Sequence, residues 1–238
     1  MTTARPTQPG LVFQLIKRSM RARRLLNDLV FWADTVIMGG YNKEAQVVAL
    51  IKRLKREQDL FVSAHEAFMI HSLARAQRYS PGDFAEVGVY RGGSAQLIAA
   101  ARTGPHPAPL HLFDTFAGLP ALHPADGNFF QAGMFSATLA HAQAALQGQP
   151  NIQFHVGLFP QTAEAVRDRV FTFVHLDVDL YESMKAGLEF FYPRLGPRGA
   201  LLAHDYTYPG VQRAFDEFLA QTPARLIELT YSQCLLLK

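Results

Sequence analysis

The chain has 238 residues, 49% hydrophobic and 18% charged, so it is long enough to bury a core and too apolar to be disordered. Its single cysteine, Cys234, excludes a disulfide framework and a cysteine-rich zinc site, and no run of about 18 uncharged apolar residues reads as a membrane span. The net charge of +3 is uneven: residues 1–60 hold 11 Lys and Arg against 5 Asp and Glu, and the remainder is net acidic.

Met1–Gly10 is polar and Pro-containing, a loose arm rather than a secretory leader, and this leads us to expect a cytoplasmic protein. Residues 11–38 read as a helix ended by Gly39-Gly40. Residues 43–58 read as a second, with Val47, Val48, Ile51 and Leu54 on one face. Ser63–Gln77 makes a third, opened by a capping box of Ser63 and Glu66. Two basic clusters, Lys17, Arg18, Arg21, Arg23, Arg24 and Lys52, Arg53, Lys55, Arg56, suit nucleic acid, an anionic membrane or an acidic partner. Solvated helix faces are the preferred reading. Phe31, Trp32, Val36 and Ile37 suit a membrane surface or a partner subunit, and packing in a homo-oligomer is preferred. The turn Ser80-Pro81-Gly82-Asp83 divides an N-terminal helical extension, residues 1–79, from a domain of residues 80–238.

After that turn the period changes. Short apolar strands are predicted at Phe84–Gly88, Leu110–Asp114, Ile152–Val156, Phe171–Asp177 and Ala200–His204, the last preceded by a turn at Gly196–Gly199. Helices are predicted at Ser94–Ala101, Ser136–Leu146, Gln161–Arg167, Glu182–Tyr192 and Val211–Gln221. Arg225–Leu229 and Gln233–Leu237 read as a closing pair of strands. Strands alternating with helices imply an α/β fold with a mainly parallel sheet covered on both faces. Ligands of such folds sit beyond the carboxyl ends of the strands, at a topological switch point.

The first strand leads into Glu86-Val87-Gly88-Val89-Tyr90-Arg91-Gly92-Gly93-Ser94. A dinucleotide fingerprint would need glycine at position 90, where the backbone meets a pyrophosphate. Tyr90 argues against NAD or FAD and leaves a phosphate-free nucleoside such as S-adenosylmethionine, whose cationic end suits Glu86. Asp114, at the end of the second strand, is placed to accept ribose hydroxyls. The alternative for Asp114 is a cap or turn role before Thr115. The candidate cofactor contacts are therefore Glu86, Gly88, Val89, Tyr90, Ser94, Asp114 and Thr115.

The motifs E-V-G-V-Y-R-G-G-S, F-D-T-F-A-G-L-P and L-D-V-D-L-Y-E-S, with a strand ending H-D-Y, resemble the macrocin O-methyltransferase (TylF/MycF-like) family over roughly Ser80–Phe218. The resemblance implies a Rossmann-like class I methyltransferase fold and S-adenosylmethionine-dependent methylation of sugar hydroxyls in natural product biosynthesis. It implies that Glu86, Gly88 and Ser94 line the methionine part, with Asp114 at the ribose and Gly157 and Leu158 by the adenine. Asp177 would also border the cofactor. It further implies a magnesium ion held by Asp177 and an Asp-Asp pair, which here reads His204-Asp205.

From the residues themselves, Asp177, Asp179, His204 and Asp205 fall at the carboxyl edge of neighbouring strands. Carboxylates there suit Mg²⁺ or Mn²⁺, and histidine suits softer cations. Alternatively His204 is a metal-free general base oriented by Asp177. Asp179 or Ser183 is a candidate cap of the following helix, and His175 a buried, hydrogen-bonded histidine. The segment from Phe116 to Phe135, with Phe129, Phe130, Met134 and Phe135, is long for a connection and reads as an aromatic lid. Two functions compete, and a third, an RNA methyltransferase using residues 1–60 as a basic arm, is disfavoured by the net acidic charge of the rest of the chain. One is an O-methyltransferase for a small-molecule hydroxyl, with no nucleic-acid partner. The other is a catalytically degenerate cofactor-binding adaptor.

Overall fold

The computed structural model describes residues 20–104 and 107–238, with side chains from Leu25 onward. The predicted arm, residues 11–19 of the first helix and the side chains of its basic cluster lie outside the described residues. Three helices come first: α1 (Met20–Gly40), α2 (Ala45–Glu57) and α3 (Ala64–Ala76). Ser63 and Glu66 form the expected capping box at α3: Glu66 N–H donates to the Ser63 hydroxyl, and Ser63 N–H donates to the Glu66 carboxylate. Next come β1 (Asp83–Val87), α4 (Gly93–Ala101), β2 (Leu110–Asp114), α5 (Leu139–Ala145), β3 (Ile152–Val156), β4 (Phe171–Leu176), α6 (Tyr181–Arg194), β5 (Leu195–Ala203) and α7 (Pro209–Gln221). The closing strands are β6 (Leu226–Glu228) and β7 (Cys234–Leu237). The predicted helix at Gln161–Arg167 is a 3₁₀ turn, Gln161–Val166. The turn expected at Gly196–Gly199 lies inside β5, where the pairing with β4 shifts register between Phe171 and Phe173.

The seven strands run in the order β3-β2-β1-β4-β5-β7-β6. The first five are mutually parallel; β7 and β6 close the edge antiparallel. Alternation along each strand sends side chains to two apolar clusters. Phe84, Leu110, Leu112, Phe173, Ala200 and Leu202 pack beneath α2, α3 and α4. Ala85, Val87, Phe113, Val174, Leu176, Leu201 and Ala203 pack beneath α6 and α7. Residues of the N-terminal helices, among them Ile51, Leu54, Ala67 and Ile70, belong to the same cluster as Phe84, Leu97 and Ile98 of the sheet domain. No described helix is long and apolar enough to cross a membrane.

Connections leave β1 toward β2 and β3, then return to place β4 on the other side of β1. The switch point therefore lies between the carboxyl ends of β1 and β4.

Candidate active site

The parallel ladder continues one step past the strands. Gly88 N–H donates to Phe113 O at 2.9 Å, Asp177 N–H to Val87 O at 2.9 Å and His204 N–H to Leu176 O at 2.8 Å. Gly88, Asp177 and His204 thus stand in register on the sheet's edge. Beyond them the chain turns sharply: Tyr90, Phe116, Asp179 and Asp205 all have φ between +50° and +62°. Such left-handed conformations are uncommon outside glycine and cluster where function demands a tight turn. Together these turns surround a cavity of about 760 Å³, large enough for a small-molecule ligand.

Gly88, Val89, Tyr90, Ser94, Asp114, Thr115, Gly157, Leu158, Asp177, His204 and Asp205 all line this cavity. Glu86 does not. It is fully buried, with Oε1 2.8 Å from His175 Nδ1, and this pair sits inside the sheet. Burial raises the Glu86 pKa, and His175 opposes the shift. It stands behind the cavity wall rather than on it, supporting the loop from within. His175 fills the buried, hydrogen-bonded role expected of it.

Gly88 has φ +88°, and a Cβ there would overlap the Asp177 carbonyl oxygen, so only glycine lets β1 and β4 approach this closely. Asp114 clasps the loop that follows. Its Oδ2 accepts from Val89 N–H at 2.7 Å and Tyr90 N–H at 2.8 Å, and Oδ1 accepts from Phe116 N–H at 2.7 Å. Three of about four acceptor positions of the carboxylate are engaged, leaving one free at Oδ1. A ribose would find one lone pair there rather than two open oxygens. Thr115 makes a local turn, accepting from Ala117 N–H at 3.1 Å and donating to Gly118 O at 2.9 Å.

The reaction-centre candidates converge. His204 Nδ1 lies 3.2 Å from Asp177 Oδ1 and 3.1 Å from Asp205 Oδ2. One ligand atom from each of these three residues falls within 4.8 Å of the others, a spacing that a single cation can bridge. A fourth group joins them from outside the sheet. Glu66 Oε1 lies 3.4 Å from His204 Nε2. Burial works against a charged His204, but Asp205, Asp177 and Glu66 outweigh it and raise the imidazole pKa well above its usual value. Burial likewise opposes the Asp177 carboxylate, and His204 holds its pKa below the ordinary range. Burial, Asp205 and Asp177 push Asp179 well above the usual range, which favours its neutral form.

Asp179 is not the cap of α6, and neither is Ser183. The Tyr181 N–H donates instead to Asp126 Oδ1 at 2.7 Å, so the lid supplies the cap. Asp126 Oδ2 meanwhile accepts from His123 N–H at 2.7 Å. The lid is folded rather than loose. Leu119 and Met134 pair through the backbone, and a 3₁₀ turn spans Pro124–Asp126. Phe129 and Phe130 sit on Tyr208 with centroids 5.3 and 4.9 Å away, and Phe135 meets Phe61 at 5.5 Å over the glycine loop.

Glu66, Phe61, Tyr231 and Ser232 line the cavity and escape the sequence reading as site residues. Glu66 was visible only as half of a capping box, and Ser232 lies in a short turn between the closing strands.

Comparisons with known proteins bear on the family and the fold. Residues 71–227 match the family described as Macrocin-O-methyltransferase (TylF). The 8-demethyl-8-(2,3-dimethoxy-alpha-L-rhamnosyl)-tetracenomycin-C 4'-O-methyltransferase of Streptomyces olivaceus is 28% identical over 151 residues, and the match spans 58% of each chain. Among solved structures, the O-methyltransferase NovP superposes with a TM-score of 0.64 at 19% identity over 75% of this chain and 81% of its own. The calicheamicin methyltransferase CalS11 gives 0.61 at 21% over 82% and 94%. An O-methyltransferase from Bacillus cereus in complex with SAH gives 0.62 at 14% over 89% and 100%. These structural likenesses establish the fold as that of methyltransferases. With the family match covering β1 to β5 and Asp177, His204 and Asp205, the chain belongs to the TylF macrocin O-methyltransferase family.

Proposed function

We propose that this protein is an S-adenosylmethionine-dependent O-methyltransferase acting on a hydroxyl of a small molecule, a sugar of a glycosylated natural product being the acceptor class. The observation that carries the reading is the convergence of Asp177, His204 and Asp205 beside the clasped glycine loop in one cavity. The family supports O-methylation, and the Streptomyces relative is named for a rhamnosyl-tetracenomycin substrate.

S-adenosylmethionine would supply an electrophilic methyl carbon to the acceptor oxygen, with S-adenosylhomocysteine as the leaving group. The chain aligns the partners and removes the hydroxyl proton. Alignment alone can supply about 7–11 kcal/mol. Val89, Tyr90 and Gly157 border the nucleoside, and Asp114 keeps their loop rigid. Phe129, Phe130 and Phe135 shield the cavity and present apolar faces to an acceptor.

A divalent cation fits the acid cluster. His204 Nδ1 is buried and makes no well-aligned hydrogen bond, and carboxylate oxygens flank it. Asp177, Asp205 and His204 would hold the ion, and it would acidify the acceptor hydroxyl. The nitrogen ligand favours Mn²⁺ over Mg²⁺. Both roles of His204, cation ligand and free general base, require Nδ1 without a proton, whereas the surrounding carboxylates favour the protonated ring.

The test has two stages. Calorimetry with S-adenosylhomocysteine should show binding, and labelled methyl transfer should follow with rhamnosylated polyketides as acceptors. Loss of transfer in EDTA, restored by Mn²⁺ or Mg²⁺, supports the cation; full turnover in EDTA with loss in His204→Ala supports the base. Absence of S-adenosylhomocysteine binding overturns the methyltransferase reading itself.

The expected homo-oligomer rests on α1. Its buried face carries Phe31, Thr35 and Met38, while Leu25, Leu29, Trp32 and Val36 are exposed at 4-3-4 spacing. That is the seam by which one helix packs on another, and a second copy of the chain offers the same seam.

A further inference from the structure

Ser232 sits in the turn between β6 and β7, close to His204 and far from it in sequence. Its N–H and its hydroxyl both reach Glu66 Oε1, at 2.9 and 2.7 Å. Glu66 Oε2 is occupied by Ser63 N–H at 2.9 Å, so the whole carboxylate is immobilised at the start of α3. The turn is held twice more. Gln233 Nε2 donates to Glu66 O at 3.3 Å, and the Tyr231 hydroxyl donates to the buried Asp34 of α1 at 3.2 Å.

A hydroxyl has one proton to give. A carboxylate can only accept, so the Ser232 proton points to Glu66. The Ser232 oxygen then turns its lone pairs to His204 Nε2, 3.0 Å away. The only complementary arrangement puts a hydrogen on Nε2. The ring is thereby oriented with Nδ1 facing Asp177 Oδ1 and Asp205 Oδ2. An imidazole's free nitrogen is set by the hydrogen bond that the other nitrogen makes.

We infer that Glu66 and Ser232 are positioning residues that fix Nε2 of His204 as the hydrogen-bearing anchor and so aim Nδ1 at Asp177 and Asp205 on the acceptor side of the cluster. The inference rests on the methyltransferase reading for what that aim serves, and not for the geometry. It makes the N-terminal helices part of the site. The residue that stands at the first place of the Asp-Asp pair is served by a carboxylate from α3 and a hydroxyl from the closing hairpin. Glu66 and Ser232 need not touch either substrate.

The experiment is nuclear magnetic resonance on the full chain carrying nitrogen-labelled histidine rings, with His204 assigned by the signals missing from His204→Ala. The expected wild-type result is a protonated Nε2 whose proton is protected from solvent exchange. Ser232→Ala should lose that protection, and Ser232→Thr should retain it, with the ring signals of buried His111 and His175 unmoved as a control for folding. A bare Nε2 in the wild type overturns the inference, as does protection indifferent to Ser232→Ala. Calorimetry with S-adenosylhomocysteine on the same sample separates the two readings: a failure to bind undoes the methyltransferase assignment and leaves the ring-nitrogen result standing.

Discussion

Asp114 shows how much of a loop one side chain can hold. Its carboxylate gathers the N–H groups of Val89, Tyr90 and Phe116, so the loops after β1 and β2 are tied together before any nucleoside arrives. Asp114→Asn keeps the shape but turns an NH₂ group toward one of those donors. The mismatch should cost about 1–3 kcal/mol. It should appear as weaker S-adenosylhomocysteine binding by calorimetry together with a lower Tm. Unchanged affinity with a lowered Tm would confine Asp114 to a structural role. This residue was legible from its place after a strand and a glycine turn. Its three backbone partners were not, because they depend on left-handed turns at Tyr90 and Phe116 that no residue preference announces. Glu66 was concealed for a different reason. The capping box already accounted for its carboxylate, and its second partner, Ser232, is 166 residues away.

Among elements, the lid and α6 depend on each other. Asp126 accepts from the first N–H of α6 with one oxygen and closes its own 3₁₀ turn with the other. Asp126→Ala removes both bonds, at a cost of about 1–3 kcal/mol. The expected results are a lower urea midpoint and faster proteolytic cleavage within residues 115–136. A cleavage rate equal to that of the wild type would show that the aromatic contacts with Tyr208 suffice to hold the lid. The strands were readable because each is a short buried run bounded by turns, as in Phe84–Val87 and Leu110–Phe113. The start of β5 was not. Gly196-Pro197-Arg198-Gly199 has the composition of a turn, and its pairing with β4 compels it into the sheet through an irregular register. The cap of α6 escaped as well, since a lid residue supplies it across 55 positions.

For the molecule as a whole, two properties follow from the N-terminal helices. The exposed seam of α1 predicts a dimer, and Leu29→Glu should shift the light-scattering mass to that of one chain while leaving S-adenosylhomocysteine affinity intact. A wild-type protein that is already monomeric would remove the assignment. The second property is acid sensitivity. Burial disfavours the Glu66 carboxylate, but His204 and the N–H groups of Ser63 and Ser232 overcome this and hold its pKa well below the ordinary 4.5. A carboxyl depressed in the folded state contributes stability that is fully present above its unfolded value and lost as pH falls toward the folded one. The Tm should therefore drop as pH falls below about 4.5, and the drop should be shallower in Glu66→Gln. Parallel Tm curves for the two proteins would place the acid-labile groups elsewhere.

The contact between Gly88 and the carbonyl of Asp177 bears on how such an enzyme can diversify. It joins the glycine loop after β1 to the acid cluster through main chain alone. No side-chain exchange can lengthen or shorten that span, and position 88 tolerates no other residue. The lid and its aromatic supports are under no such constraint, since Phe129, Phe130 and Phe135 meet the cavity through side chains alone. The chemistry can be inherited unchanged while the clientele shifts, because the two are written in different parts of the polypeptide.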